Sequence, residues 1–281
     1  EGRGLRIALT TLNTGRLTLP AAATGVAKRC LGIVRRWAAS REQWGAPIGK
    51  HGAIADKVSR IAASVLAMEA MTILTAGLVD RKAGDIRVEA AMCKLWEIVN
   101  ETMQVRGGRG YETVDSLAAR GESPDPVERF VRDARITTIF EGSSEILRGM
   151  AIAREGLDHH AKLGKDVLNA RLPLLRRAAA ALGSTTFYAP WYLSRWLPAA
   201  PSGPERLDPD VRPHVRFAAS TSKRLSRRLF HQMLRHGLGL ERRQLLLGRF
   251  VDVATELFAL SSACSFAQHK LDTGTPRDQV V

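Results

Sequence analysis

Aromatic residues make up only 6% of this 281-residue chain, cysteine occurs three times, and acids are outnumbered 28 to 42 by lysine and arginine. Each shortage excludes something. Cys30, Cys93 and Cys264 lie far apart with no C-x-x-C pair, so neither a disulfide framework nor a cysteine metal site is expected, and no metal is assigned. Alternating Val, Ile and Thr runs are nearly missing, which argues against a sheet. No run of about 18 uncharged apolar residues marks a membrane span, and no apolar signal-peptide core opens the chain. The expectation is a soluble, cytoplasmic protein.

What is present points to helices. Alanine, leucine and arginine abound, and a 45% hydrophobic content is enough to bury a core. The net charge of +14 is lopsided. Residues 1–160 carry 23 bases against 19 acids, while residues 161–281 carry 19 against 9. A solvated arginine-rich helix face explains the excess most simply. An anionic membrane surface or an acidic protein partner are the sharper readings. No nucleic-acid motif accompanies the charge, so no nucleic-acid partner is expected.

The first helix is read over Gly4–Ser40, interrupted early by glycine and Pro20. After the loop "REQWGAPIGKHG", a second runs from about Ala53 to Lys82, with Ile54, Val58, Ile61, Val65, Met68 and Thr72 on one face. A third spans about Asp85–Val105 and stops at "RGGRGY", where glycine ends it. A short helix at Val127–Ala134 and a long one from about Ser143 follow. Tyr188–Pro213 holds six prolines and reads as an irregular excursion. Val215–Arg235 and Glu241–Lys270 read as a helical pair joined at "HGLGL", the latter with Leu246, Phe250, Val253, Leu257 and Leu260 at helical spacing. The expected fold is therefore all-α: an up-down helical bundle over residues 1–160, then a basic helical extension over 161–281.

One acid stands out. Glu141 follows Ile139 and Phe140 and precedes the turn Gly142-Ser143-Ser144, in "RITTIFEGSSEILRG". Thr138 lies three residues before it, the spacing of a capping box, so Glu141 alone reads as a helix-capping acid. The helix dipole would lower its pKa and the apolar neighbours would raise it.

The surroundings add a second reading. "PVERFVRDARITTIFEGSSEILRGMAIAREG" resembles the carboxyl-terminal signature of the acyl-CoA dehydrogenases. "ASREQWGAPIGKHGAI" is similar to that family's R-x-Q-F-G-x-P-I loop, "QVRGGRGY" to its Q-x-x-G-G-x-G-[YF] turn, and "TTLNTGRLTLPAAATGVAKRC" to the start of its carboxyl-terminal helical domain. The resemblance covers about residues 4–160. Beyond that it extends only to longer, very-long-chain-type members with a helical extension.

The resemblance implies FAD as cofactor and an acyl-CoA thioester as substrate. It makes Glu141 the catalytic base, taking the α-proton, with its own backbone N–H free at a helix start to donate to the thioester oxygen. It places Arg41, Gln43 and Trp44, the last where the family usually has Phe, on the pyrophosphate and adenosine side of FAD. Gln104, Gly107 and Gly108 would form a turn that lets backbone approach FAD. Ser143 would sit near the flavin, while Asn13, Arg16, Phe140 and Gly142 would lie on the substrate side. It further implies a homodimer with flavin sites shared between subunits, and electrons passed to an electron-transfer flavoprotein. The extension is linked with peripheral membrane contact, for which Trp191, Tyr192, Trp196 and Leu197 are candidates; packing within the bundle is their plainer role.

The match also departs from the pattern. The family's amino-terminal helical and β-barrel domains are not in this sequence, so the isolated chain is expected to lack full activity. Arg106 and Arg109 make the glycine turn more basic, either to meet phosphate or simply as exposed charge. "ETVDSLAARGESPD" lengthens the following loop, as a lid or a bland insertion, and Gly52 stands where many members have glutamine. Two rival readings stand beside the dehydrogenase: an acyl-CoA oxidase, and a non-catalytic helical partner for dimerisation or membrane docking.

Overall fold

The computed structural model describes residues 4–81, 95–137, 139, 160, 164, 166, 167, 169, 171–197 and 207–280, with the side chains of 5–17, 238 and 278 left out. The described chain is almost wholly helical. It divides into two compact units, Glu1–Ser144 and Glu145–Val281.

In the first unit, α1 (Gly4–Ser40) runs unbroken through Pro20, against the expected interruption. Proline withholds one amide from the helix ladder. Four residues on, the Thr24 hydroxyl donates to the Pro20 carbonyl at 2.8 Å and lies 3.2 Å from the Thr72 hydroxyl on α2 (Gly52–Asp80). That side-chain bonding ties the proline turn to the neighbouring helix. The helix α3 (Trp96–Arg106) completes a mutually packed trio with α1 and α2, and α6 (Val127–Ile136) packs on α3. Residues 85–94 of the expected third helix lie outside the described residues, as does the helix expected from Ser143.

The core of this unit is set by spacing. Ala27, Cys30 and Val34 on α1, Ile61, Val65 and Met68 on α2, and Ile98, Val99 and Val105 on α3 are all buried. The α1 and α2 sets recur at three or four residues, and on α3 buried Thr102 falls midway between Val99 and Val105, so one stripe per helix leaves water. Burial pushes the Cys30 thiol up to about 11, against a smaller pull from the Thr102 hydroxyl, so Cys30 packs as a small apolar side chain. By length and composition alone, α2 and the later helix Gln244–Asp272 are apolar enough to cross a membrane, contrary to the expectation of no such span. The buried stripe of α2 instead faces α1 and α3.

Two connections carry structure the sequence did not announce. Between α1 and α2, β1 (Glu42–Gln43) pairs antiparallel with β2 (Ala46–Pro47) around Trp44 and Gly45. Between α3 and α6 lie α4 (Gly108–Tyr111) and α5 (Val114–Ala119). The Thr113 hydroxyl caps α5 by accepting from the Ser116 amide at 3.3 Å, and Leu117 is fully buried beneath it. The lengthened loop is thus an ordered element. On α4, a Cβ at Gly110 would stand 2.8 Å from the Met103 carbonyl oxygen and 2.9 Å from the Arg106 Cβ. Gly110→Ala is therefore expected to destabilise the unit by about 1–3 kcal/mol, read as a lowered denaturant midpoint at unchanged slope.

In the second unit, α7 (Leu174–Ser194) contains Pro190 and carries Tyr188–Ser194 into the stretch expected to be irregular. The helices α8 (Arg212–His236) and α9 (Gln244–Asp272) pack together across a 3₁₀ turn at Gly237–Arg242, where Gly237 has φ +50°. The buried seam of α9 is Leu247, Val251, Thr255, Leu257, Ser262 and Cys264. Of the expected stripe only Leu257 belongs to it, and Val253 is exposed. This helix is apolar over more than one face, so period alone left the seam's angle undetermined. Arg277 closes the unit by pairing with Asp208 at 3.0 and 3.1 Å and with Asp210.

The aromatic residues of α7 pack within the unit. The ring centroids of Tyr188, Trp191 and Tyr192 lie 5.1, 5.4 and 5.7 Å from Phe230 on α8. The basic side chains lie along them: Arg195 stands over Trp191 at 5.1 Å, and Arg227 over Trp196 at 3.6 Å. Trp196 and Leu197 nevertheless remain more than half exposed.

Candidate functional site

The candidate residues fall into three groups. Glu141, Phe140, Gly142 and Ser143 lie outside the described residues. Asn13 and Arg16 fall three residues apart on α1, where only the backbone is described. Arg41, Gln43, Trp44, Gln104, Gly107 and Gly108 are described, and all six are exposed.

Arg41, Gln43 and Trp44 belong to the hairpin that follows α1. The turn is tight: Trp44 has φ +51° and Gly45 φ +80°, the left-handed pair of a two-residue type I′ hairpin. Gly45 takes this conformation freely. Trp44 is the one described residue other than glycine with positive φ, at a cost of about 1–2 kcal/mol. Its indole is 87% exposed, so burial does not repay that cost. Among the described rings it meets His51, edge-on with centroids 5.4 Å apart, while His51 Nε2 lies 3.0 Å from the Gln43 carbonyl oxygen. Trp44 thus combines a positive φ with an aromatic ring left largely uncovered by the described residues.

The hairpin is fixed at its base. The Arg41 amide donates to the Trp37 carbonyl at 2.9 Å, and the Ile48 amide donates to the Arg41 carbonyl at 2.7 Å. Ile48 is buried, and a Cβ on Gly49 would reach 3.0 Å from the Ala38 carbonyl oxygen, so the 3₁₀ turn at Ile48–Lys50 lies close against α1.

The glycine turn is anchored to the same place. At the end of α3, Gly107 has φ +60° and ψ −139°, a region open to glycine alone. A Cβ on Gly107 or Gly108 would meet no atom of the described residues within 4 Å, so they leave this backbone uncovered. Gln104 lies in the last turn of α3 beside them. The Arg106 guanidinium stands over the Trp37 ring, 4.6 Å from its centroid. Trp37 thus holds the hairpin through its carbonyl and the glycine turn through its ring.

Both arginines of the turn are already engaged by acids. Arg106 is buried, with Nη1 3.4 Å from Asp125 Oδ2. Burial pulls its pKa down, against the opposing charges of Asp125 and Glu122. Asp125, also buried, faces Arg29 at 3.3 Å and Arg36 at 3.5 Å. These separations exceed the 2.7–2.9 Å of a tight charge-assisted bond, so Asp125 acts as a charge centre shared by three cations. Arg109 donates its Nε–H to both Glu122 oxygens, at 2.8 and 2.9 Å, and Nη1 to Glu112 at 2.8 Å. Donation from the Ser116 hydroxyl, then from Arg109, depresses the Glu112 carboxyl below its usual range. Sequence reasoning missed Trp37, Glu112, Glu122 and Asp125. The available signal was charge complementarity: four acids in one loop, Glu112, Asp115, Glu122 and Asp125, directly after two arginines that bracket a glycine pair.

Comparison with known proteins gives this surface a context. The family model for the acyl-CoA dehydrogenase C-terminal domain matches residues 2–157. The probable acyl-CoA dehydrogenase FadE10 of Mycobacterium tuberculosis is 49% identical over 280 residues, which cover 95% of this chain and 42% of that protein. The human mitochondrial very long-chain specific acyl-CoA dehydrogenase is 28% identical over 286 residues, 99% of this chain and 41% of that protein. Among solved structures, an acyl-CoA dehydrogenase from Bacillus anthracis complexed with FAD superposes with a TM-score of 0.70 at 26% identity, over 99% of this chain and 46% of that one. The chain spans well under half the length of the curated relatives it matches.

Proposed function

The chain belongs to the acyl-CoA dehydrogenase family, and from that premise we propose that the intact gene product dehydrogenates an acyl-CoA thioester to the trans-2-enoyl-CoA. One observation carries the reading: the hairpin tip and the glycine turn, the two elements expected to face flavin, are rigidly built, jointly anchored on Trp37 and left uncovered.

FAD, when bound, supplies the acceptor for the hydride leaving the β-carbon. The Arg41 guanidinium and the Trp44 ring would hold its pyrophosphate and adenosine side, with Gln43 beside them. Gln104 would contribute at the turn, and Gly107 and Gly108 would admit the nucleotide against bare backbone. Ser143 would hold the cofactor near its ring. The Glu141 carboxylate would accept the α-proton, while its own amide would donate to the thioester oxygen as negative charge gathers there. Arg16 would lie near that carboxylate, Asn13 on the substrate side, and Phe140 and Gly142 would wall the acyl group off from water.

The remaining parts of the reading are a homodimer that shares its flavin sites, an electron-transfer flavoprotein as acceptor, and a cytoplasmic location with peripheral membrane contact through the basic extension. The charge excess and the exposed Trp196 and Leu197 support that last contact.

The intact product is expected to purify with FAD and to reduce an electron-transfer flavoprotein when given an acyl-CoA. Oxygen consumption in place of that transfer would make it an oxidase, and absence of flavin would leave only a helical scaffold. Trp44→Gly gives a sharper check, because it relaxes the positive φ while removing the ring. Stability should be kept and FAD affinity should fall roughly tenfold, the worth of one aromatic stacking contact.

A further inference from the structure

Glycine is the residue least able to hold its own backbone still, so the Gly107–Gly108 turn needs its order supplied from outside. The supply comes from one segment, Glu112–Asp125. Glu122 and Glu112 hold Arg109, and Asp125 faces Arg106, so both residues bracketing the glycines are gripped from the same loop. The gripping groups are themselves fixed. Glu112 is also held by Arg120 at 3.0 Å and by the Ser116 hydroxyl at 2.7 Å, Leu117 is buried below them, and Asp125 is tied to Arg29 and Arg36 of α1.

We propose that the Glu112–Asp125 segment positions the glycine turn for the flavin nucleotide, with Asp125 acting through Arg106 and Glu122 through Arg109. The proposal rests on the reading above that this turn meets FAD. With carboxylates already engaging their guanidiniums, the two arginines act on the turn and not on a phosphate. A turn frozen before the ligand arrives loses less freedom on binding, and that saving appears as affinity.

The test uses the intact gene product with Asp125→Asn and Glu122→Gln, each of nearly unchanged shape and one charge fewer. Two quantities are read: the Kd for FAD from titration of the apoprotein, and the melting temperature with and without saturating FAD. Each variant is expected to raise the FAD Kd about tenfold, the scale of a slightly misplaced contact, and to narrow the gap between the two melting temperatures. A merely structural segment would lower both melting temperatures together and leave the Kd within twofold, and that result overturns the proposal. Glu122 is half-exposed, so Glu122→Gln decides the matter even if Asp125→Asn does not fold. A wild-type protein that takes up no FAD would sink the flavin reading, and the positioning role with it. Normal wild-type uptake with unchanged variants sinks the positioning role alone.

Discussion

Glu141→Gln in the intact gene product is expected to lower turnover by roughly 10²–10⁴-fold while leaving FAD bound, because general-base catalysis contributes about that much. The amide copies the shape of the carboxylate but has no basic oxygen strong enough to take a proton from carbon. The backbone N–H at the same position is untouched, so the proposed donation to the thioester oxygen would survive. Substrate affinity should therefore change little, and the loss should fall on kcat. That pattern separates removal of a base from loss of a helix cap: a capping acid replaced by glutamine would shift stability by some tenths of a kcal/mol and leave turnover alone. Steady-state rates with a flavin spectrum of the same sample check both halves. Turnover near the wild-type level would take Glu141 out of the chemistry.

The second large effect belongs to stability. Asp125→Ala is expected to cost the Glu1–Ser144 unit about 3 kcal/mol, the range for stranding a buried charge. The three cations around Asp125 would not suffer alike. The Arg29 and Arg36 side chains are more than half exposed and would return to water at little cost. Arg106 cannot. Its side chain is only 4% exposed, its Nε has no partner among the described residues, and it would keep the Trp37 ring as its main support. The double variant Asp125→Ala, Arg106→Met should recover most of the loss, since an apolar side chain of similar length tolerates the same site. Denaturant midpoints of the two single variants and the pair measure the coupling. If Asp125→Ala alone shifts stability by only a few tenths of a kcal/mol, the carboxylate is not what holds Arg106 in place.

Helices were legible in this sequence because their evidence is repetitive. The α2 stripe is a case: Ile61, Val65 and Met68 are buried as their spacing requires, and a misjudged residue at either end changes little. The α9 seam was harder, since a helix apolar on several sides fits more than one angle. The connection after α1 illustrates the opposite limit: the hairpin there is only Glu42–Gln43 on Ala46–Pro47, too short for alternation to register, and its tip puts tryptophan where glycine or asparagine is usual.

The candidate site divided in a similar way. Resemblance picked out Arg41, Trp44 and the glycine pair, and these prove exposed on well-anchored backbone. It could not say what anchors them, because that depends on contacts between residues distant in sequence. Arg106 and Asp125 lie 19 residues apart, and Arg29 and Asp125 lie 96 apart. A basic turn read in isolation looks ready for phosphate; the acids that engage it become visible only once the chain has folded back. Glu141 and its neighbours, the centre of the chemical reading, fall outside the described residues and rest on sequence.

Trp37 carries a last implication. One residue near the end of a long helix supports two outlying elements by two unlike means, a carbonyl for one and a ring face for the other. Fraying of that final helical turn would release both at once. In native-state hydrogen exchange, the amides of Arg41 and Gly107 should accordingly open as a single cooperative event with shared protection, although 66 positions of sequence separate them.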